Sequence, residues 1–213
     1  MSFSEAKRHL ALLFVGILYG ANYSVVKTVT PEFIQPFGFI VIRVLVATVL
    51  FWLISIGIKT KIDWKKDGGR VFLCALFGVG INMLAFFKGV SLTSAINGSI
   101  IMTLTPAMVF ITSALILKER VTGQKIIGLL IGFVGALIII YMGKSAVSQG
   151  DWRGDLLIIL NATSYGTYLV LVKPLLSKYD PITLSKWIFL IGCFLVLPVG
   201  WSELETDAYA VYD

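Results

Sequence analysis

Seven apolar runs of roughly 20 residues, separated by short polar connections, divide this 213-residue chain. They cover residues 9–29, 36–58, 70–90, 94–117, 123–143, 154–176 and 183–202. A helix needs ~20 residues to cross the ~30 Å hydrocarbon core of a bilayer. Polar and apolar residues do not alternate along any run, which excludes the strands of a membrane barrel. The sequence therefore predicts an all-α polytopic membrane protein, a helical bundle with seven membrane-spanning helices.

Composition agrees with a membrane protein and excludes most other classes. Hydrophobic residues make up 57% of the chain and charged residues 14%, whereas about a quarter of a soluble domain is charged. The net charge is +6, but the basic residues lie between the apolar runs rather than on one polar face, so no nucleic-acid partner is expected. Cys74 and Cys193 each lie within an apolar run, so neither a disulfide framework nor a metal site is predicted.

The sequence lacks the motifs that catalysis and nucleotide binding require. His9 is the only histidine and precedes most of the first run, so neither a Ser–His pair nor a histidine metal site can be built within the membrane. No Gly-x-x-x-x-Gly-Lys-Ser/Thr motif occurs, which excludes an ATP-driven pump within this chain. Asp151 and Asp155 are interpreted as residues at a helix N-terminus. We therefore expect no enzymatic activity and no cofactor.

The distribution of Lys and Arg predicts the orientation of the helices, because these residues accumulate in cytoplasmic loops. With the N-terminus in the cytoplasm, thirteen of the 18 basic residues lie on the cytoplasmic side, four lie outside, and Arg43 lies within a run. The four outside are Lys27, Lys88, Lys144 and Arg153. We therefore expect an integral protein of a bacterial cytoplasmic (inner) membrane, with a cytoplasmic N-terminus.

A weak internal repeat relates the two ends of the chain. Residues 19–27 and 165–173 each begin with Tyr-Gly and end in Lys, and four of the nine positions are identical. Five helices would separate the two copies, and an odd number inverts the second copy in the membrane, as in many secondary transporters. The predicted domains are a first five-helix repeat at residues 1–145 and the start of a second at 146–213. We expect this chain to be shorter than a complete transporter and to show no saturable uptake by itself.

Several motifs together resemble the EamA-type members of the drug/metabolite transporter superfamily. They are Tyr-Gly-Ala-Asn-Tyr at 19–23, Thr-Ser-Ala at 93–95, Leu-Thr-Pro at 104–106, Lys-Glu-Arg at 118–120, the glycines at 128, 132 and 135, and Arg43 in the second run. The resemblance implies ten helices in two inverted five-helix repeats, both termini in the cytoplasm, and export or exchange of amino acids, metabolites or drugs. This chain departs from that pattern by ending after seven helices.

Polar and aromatic side chains within the runs are the candidate substrate-binding residues. A charge inside a membrane usually faces a cavity or a partner, an amide offers both a donor and an acceptor, and an aromatic ring can stack on a substrate. The candidates are Asn22, Tyr23, Arg43, Asn82, Asn97, Thr103, Pro106, Tyr165 and Tyr168. The subset expected to line one central aqueous cavity is Asn22, Arg43, Asn82, Asn97 and Tyr165.

Each candidate also has a packing interpretation. Arg43 either anchors an anionic substrate group or reaches the membrane interface and caps helix carbonyls. The asparagines, including Asn161 of the sixth run, line a polar path or form helix–helix hydrogen bonds. Pro106 removes a backbone donor and frees the carbonyl of Met102. The result is either a movable bend or a static kink, in which the threonine hydroxyls at 103 and 105 bond such carbonyls. Two small-residue pairs, at 16/20 and 128/132, predict close helix contacts.

We interpret the chain as a secondary transporter that exports or exchanges a small metabolite, amino acid or drug-like molecule by alternating access. The alternative is a structural or assembly subunit of a membrane complex that transports nothing. The two differ in one feature, because a transporter needs its polar side chains to converge on a cavity, whereas a scaffold uses them in separate helix contacts. The expected partners are a small-molecule substrate and the lipid bilayer, and a homodimer is left open.

Overall fold

A computed structural model describes residues 3–30, 33–118, 122–143 and 151–210 of the chain. These residues form helices joined by short connections, and no strand occurs among them. The helices are α1 (Phe3–Val29), α2 (Pro36–Ile54), α3 (Trp64–Ala75), α4 (Ile81–Leu92), α5 (Ala95–Met102), α6 (Thr105–Ile116), α7 (Gly123–Gly143), α8 (Trp152–Leu176) and α9 (Pro181–Ala210). The prediction of an all-α polytopic membrane protein is confirmed.

Four of the described helices are long and apolar enough to cross a membrane. They are Pro36–Ile54, Trp64–Leu92, Trp152–Leu176 and Pro181–Thr206. The second of these combines α3 and α4, which a π-helical turn at Leu76–Gly80 joins without a break. Its start is capped by the side chain of Asp63, which accepts a hydrogen bond from the backbone N–H of Lys66 at 3.3 Å.

The fourth predicted span, 94–117, is not one helix but two. The helix stops after Met102 and restarts at Thr105, so that Pro106 occupies the first turn of α6, where a missing N–H costs nothing. The Thr105 hydroxyl donates to the carbonyl of Met102 at 2.7 Å, and the Thr103 hydroxyl donates to that of Ile100 at 2.6 Å. The Thr105 hydroxyl thus bonds the carbonyl that Pro106 frees, as the static-kink interpretation predicts, whereas the Ile100 carbonyl also accepts the backbone N–H of Thr103.

Four predicted boundaries differ from the structure by four residues or more. The first span begins at Phe3 rather than at residue 9, and the third begins at Trp64 rather than at residue 70. The second span ends at Ile54 rather than at residue 58, and the chain turns through Gly57 at φ 94°, a backbone angle that favours glycine. The seventh span, predicted to end at residue 202, continues as α9 to Ala210. The Glu203 carboxylate in this extension accepts the N–H groups of Phe37 (2.6 Å) and Gly38 (3.1 Å). It thereby caps the N-terminus of α2, which stabilises the additional turns.

The core lies where α2 packs on α9 and where α3 and α4 pack on α8. Its fully buried side chains include Val44, Val71, Val90, Ile158, Leu175 and Leu184. The other face of α2 carries Val46, Val49, Leu50 and Leu53, each at least half exposed. An apolar face without a protein partner in the described structure is expected where a helix faces lipid.

Close helix contacts occur at other glycines than those predicted. No described atom lies within 4 Å of a Cβ placed on any glycine of the two small-residue pairs. A Cβ on Gly154 of α8 would instead lie 2.5 Å from the backbone nitrogen of Thr93, and one on Gly166 would lie 2.9 Å from that of Val109. These two glycines let α8 approach the end of α4 and the middle of α6.

Candidate functional site

Polar side chains from α1, α2, α4 and α8 converge on one cavity of about 220 Å³. Its described lining residues are Val15, Leu18, Asn22, Arg43, Asn82, Met83, Phe86, Phe87 and Asn161. Of the side chains in this lining, Arg43 alone is charged and three are amides. A mostly apolar cavity with a few polar groups is the usual form of a small-molecule site.

Arg43 brings a positive charge to the cavity from α2. It lies seven residues after Pro36, which is about 10 Å along the helix axis and therefore well inside a span. Its Nη1 donates to Oδ1 of Asn22 on α1 at 2.7 Å, and its guanidinium carbon lies 5.5 Å from the centre of the Phe87 ring. The charge-assisted hydrogen bond and the aromatic face both orient the cation.

Asn82 and Asn161 join α4 to α8 at the cavity wall through reciprocal hydrogen bonds. Nδ2 of Asn82 donates to the backbone carbonyl of Asn161 at 3.3 Å, and Nδ2 of Asn161 donates to that of Asn82 at 2.9 Å. Both amides therefore have a fixed orientation. Their side-chain oxygens are not used in this pair of contacts.

The π-helical turn provides a further contact between the same two helices. The N–H of Ile81 donates to the carbonyl of Leu76, a five-residue span that is one residue wider than in an α-helix. The Ser164 hydroxyl of α8 donates to the carbonyl of Phe77 at 2.7 Å. This hydrogen bond satisfies a carbonyl in the irregular turn and holds α8 against it.

Thr103 and Pro106 lie at a second cavity, of about 480 Å³, rather than at the first. This second cavity lies where α5 and α6 face α7, and its lining includes Ala107, Phe110 and Phe133. Thr103, at the helix break, is the one polar side chain in its described lining. The Thr103 hydroxyl donates to the carbonyl of Ile100. The predicted candidates are thus divided between two cavities.

The remaining candidates do not belong to the described lining of either cavity. Asn97 is buried in the first turn of α5, where its backbone N–H donates to the Ser94 hydroxyl at 3.1 Å. The rings of Tyr165 and Tyr168 stack on each other at 6.0 Å. The described lining of the cavity at Arg43 includes neither Asn97 nor Tyr165, and their place in one central cavity stays a prediction. The side chain of Tyr23 lies outside the described residues.

The first cavity includes residues that are not among the predicted substrate-binding candidates. Asn161 is predicted either to line a polar path or to form helix–helix hydrogen bonds, and it lines the wall together with Met83 and Phe87. An amide within an apolar run is a detectable signal for Asn161. No sequence signal separates Met83 and Phe87 from the apolar residues around them.

Polar side-chain contacts lie at both ends of the interface between the α3–α4 span and α8. At one end Nζ of Lys178 lies 3.1 Å from both carboxylate oxygens of Asp67, and the Tyr179 hydroxyl donates to Asp67 Oδ2 at 2.8 Å. At the other end the Thr93 hydroxyl donates to the carboxylate of Asp155. The helices are therefore antiparallel, with residues 67 and 178 on one side of the bundle.

Tyr179 lies between α8 and α9, outside the spans, and its pKa is raised. The hydrogen bond that its oxygen accepts from the backbone N–H of Asp63 lowers this pKa. Donation to the Asp67 carboxylate and desolvation raise it and outweigh that effect. The phenol therefore keeps its proton and acts as a donor to Asp67.

No group of three or more His, Cys, Asp or Glu side chains that could hold a metal ion occurs in the described parts of the chain.

Comparison with known proteins gives a consistent result. The model of the EamA-like transporter family matches residues 7–141 and 152–208. An uncharacterized transporter of Archaeoglobus fulgidus is 30% identical over 90% of this chain and 67% of its own length. The uncharacterized transporter YyaM of Bacillus subtilis is 28% identical over 90% of this chain and 64% of its own. A WAT1-related protein of Arabidopsis thaliana is 21% identical over 99% and 65%.

The chain thus spans about two thirds of the length of these relatives. The family match covers most of the chain and confirms the resemblance drawn from its motifs. Its long apolar helices make it an integral membrane protein. The chain belongs to the EamA-like transporter family.

Proposed function

We propose that this protein is a secondary transporter that moves a small polar or amphipathic metabolite by alternating access, with the cavity at Arg43 as its substrate site. The observation that carries the proposal is the convergence of Asn22, Arg43, Asn82 and Asn161 from four helices on one cavity. A scaffold has no need for such convergence.

The residues of the cavity have complementary roles in this proposal. Arg43 attracts an anionic group of the substrate, because its guanidinium is the one charge among the described lining side chains and can form charge-assisted hydrogen bonds. Asn22 holds the guanidinium in place through its 2.7 Å hydrogen bond. The side chains of Leu18, Met83 and Phe86 form apolar walls for the rest of the molecule.

The position of the cavity supports transport by two inverted repeats. Three of its helices, α1, α2 and α4, belong to the proposed repeat at residues 1–145, and α8 belongs to the proposed repeat at 146–213. Sites in transporters with inverted repeats lie at the repeat interface. With the N-terminus in the cytoplasm of a bacterial cell, the Asp67–Lys178 end of the bundle faces the cytoplasm.

The test compares cells that express the complete transporter with cells that lack it, by profiling intracellular and exported metabolites. We expect at least one anionic metabolite whose export depends on the protein. Arg43→Ala and Asn22→Ala should each reduce that export while the protein still inserts and accumulates. Lys61→Ala, which removes an exposed cation from the connection between α2 and α3, is the matched control and should export normally.

The alternative, a structural or assembly subunit without a substrate, has one observation in its favour. The side-chain amides of Asn82 and Asn161 each donate to a backbone carbonyl of the other helix, and such helix–helix contacts are what a scaffold would use. Under this alternative no metabolite depends on the protein for export, and Arg43→Ala changes only the amount of folded protein. Normal export in both Arg43→Ala and Asn22→Ala would remove these residues from the proposed site.

A further inference from the structure

We propose that three tryptophans and a lysine at one end of the bundle form a binding site for the headgroup of an anionic phospholipid. The residues are Trp52, Trp64, Lys186 and Trp187, here called the tryptophan–lysine cluster. The ligand is a lipid of the surrounding bilayer rather than a transported molecule. The inference therefore does not depend on the cavity at Arg43.

Three indole rings from three separate helices pack against one another in the tryptophan–lysine cluster. The ring of Trp187 on α9 lies 5.4 Å from that of Trp52 on α2 and 4.8 Å from that of Trp64 at the start of α3, between centroids. Both pairs have the edge-to-face arrangement that aromatic rings favour. All three residues lie near the ends of their helices, and tryptophans concentrate at the membrane–water interface in this way.

Lys186 places an ammonium group on this aromatic surface. Its Nζ lies 5.1 Å from the centre of the Trp52 ring and 3.4 Å from Oγ of Ser55. Lys186 lies five residues after Pro181, which is about 7.5 Å along the axis of α9, so its backbone lies inside the span. A charge at a membrane helix needs a partner or a path to the interface. Neither the indole nor the hydroxyl carries the negative charge that would balance it.

No carboxylate of the described residues forms an ion pair with Lys186. At this end of the bundle Asp63 pairs with Lys66 at 3.7 Å, and Asp67 pairs with Lys178 at 3.1 Å. An ammonium group and an indole N–H donate hydrogen bonds and accept none. The cluster therefore presents donors and a positive charge, and an anion from outside the chain would complement both.

The surroundings of the cluster favour a phospholipid as that anion. Trp52 and Trp64 are 41% and 44% exposed, so the cluster opens outward rather than into the core. The exposed apolar face of α2, with Val49 and Leu53, continues from it toward the middle of the membrane. A phospholipid combines a phosphate at the interface with acyl chains that cover such a face. Basic sites between helices on the cytoplasmic side bind anionic headgroups, and this end faces the cytoplasm in the proposed orientation.

Two further lysines add positive charge beside the cluster without belonging to it. Lys59 and Lys61 are exposed on the connection between α2 and α3, five and three residues before Trp64. Such side chains attract anionic lipid through a shared potential. Lys186 is instead held by the Trp52 ring and the buried residue Ser55, and a preorganised group loses less freedom on binding. We therefore expect Lys186 to contribute more to headgroup preference than either exposed lysine.

The test measures quenching of tryptophan fluorescence by brominated lipids in vesicles that contain the purified chain. Trp152 and Trp201, which begin α8 and lie near the end of α9, are at the other end of the bundle. Both are replaced by phenylalanine, so that only the three indoles of the cluster report. Vesicles of phosphatidylcholine carry a minor fraction of either brominated phosphatidylglycerol or brominated phosphatidylcholine. We expect phosphatidylglycerol to be enriched at the cluster about fivefold or more, as one lysine near anionic lipid provides.

Three substitutions separate the proposed site from general attraction by surface charge. Lys186→Gln removes the charge and should reduce the enrichment of phosphatidylglycerol to little above that of phosphatidylcholine. Lys186→Arg keeps a cation and should retain the enrichment. Lys61→Gln is the matched control, because it removes an exposed charge at the same end, and it should retain most of the enrichment.

Each outcome supports or overturns the site. Equal quenching by the two brominated lipids in the unsubstituted protein would overturn it, and this comparison does not require any lysine variant to fold. Equal losses in Lys61→Gln and Lys186→Gln would replace the site by surface charge alone. Displacement of brominated phosphatidylglycerol by excess glycerol phosphate would show that the cluster binds a soluble anion rather than a lipid. None of these results depends on export, so the proposed function is tested separately.

Discussion

Gly154→Ala should destabilise the protein, because α8 meets the end of α4 at this residue without room for a side chain. The added Cβ would lie 2.5 Å from the Thr93 nitrogen, 2.9 Å from the Gly89 oxygen and 2.9 Å from the Leu92 carbonyl carbon. All three are backbone atoms, so no side chain can rotate away. The ends of the two helices would have to separate by several tenths of an ångström.

The expected cost follows from the contacts that this separation would disturb. Overpacking costs about 1–3 kcal/mol. Two backbone hydrogen bonds lie at the contact, Thr93 N–H to Gly89 at 2.8 Å and Asp151 N–H to Leu92 at 3.0 Å, and weakening one adds about 0.5–1.5 kcal/mol. Replacing a glycine by alanine within a helix stabilises the helix by up to about 1 kcal/mol, which partly offsets these costs. With that full gain subtracted, the net loss of stability should be about 0.5–3.5 kcal/mol.

The assay uses the two cysteines of the chain as reporters of unfolding. Cys74 and Cys193 are both buried, so a thiol-reactive fluorophore labels them only as the protein opens on heating. Gly154→Ala should react at a lower temperature than the unsubstituted protein. Gly69→Ala is the matched control, since among the described residues no atom outside its own stretch of helix lies within 4 Å of its added Cβ. Equal thermal stability of Gly154→Ala and the unsubstituted protein would refute the close contact.

Two further predictions concern orientation and the π-helical turn. Single cysteines at Lys65 and Gln124 should be shielded from an impermeant thiol reagent in intact cells while one at Ser148 reacts, because most basic residues are placed in the cytoplasm; labelling at Lys65 from outside would reverse the orientation. Ser164→Ala should lower stability by about 1–3 kcal/mol in the heating assay, because the carbonyl of Phe77 loses its donor at 2.7 Å; an unchanged melting temperature would show that this carbonyl finds another partner.

The sequence by itself determined the class of fold. Twenty consecutive apolar residues are a local property of the chain, and in a bilayer such a run has few stable conformations other than a helix. The disturbance at Pro106 was also predictable, because the missing N–H acts within one helical turn. Helix ends were less predictable: α9 continues past residue 202 because Glu203 reaches the N-terminus of α2, a contact between residues far apart in sequence.

Only the tertiary structure decided which polar residues meet. Asn22, Arg43 and Asn82 were identified from the sequence and do share a cavity, whereas Thr103 and Pro106 lie at another. The position of Asn161 in the wall of the first cavity also became visible only in the packed helices. The physical reason is that the hydropathy of a segment determines whether it crosses the membrane as a helix. Hydropathy does not determine which face of that helix points inward or which helices lie beside it. Those depend on contacts such as Gly154 against Thr93, which form between distant parts of the chain.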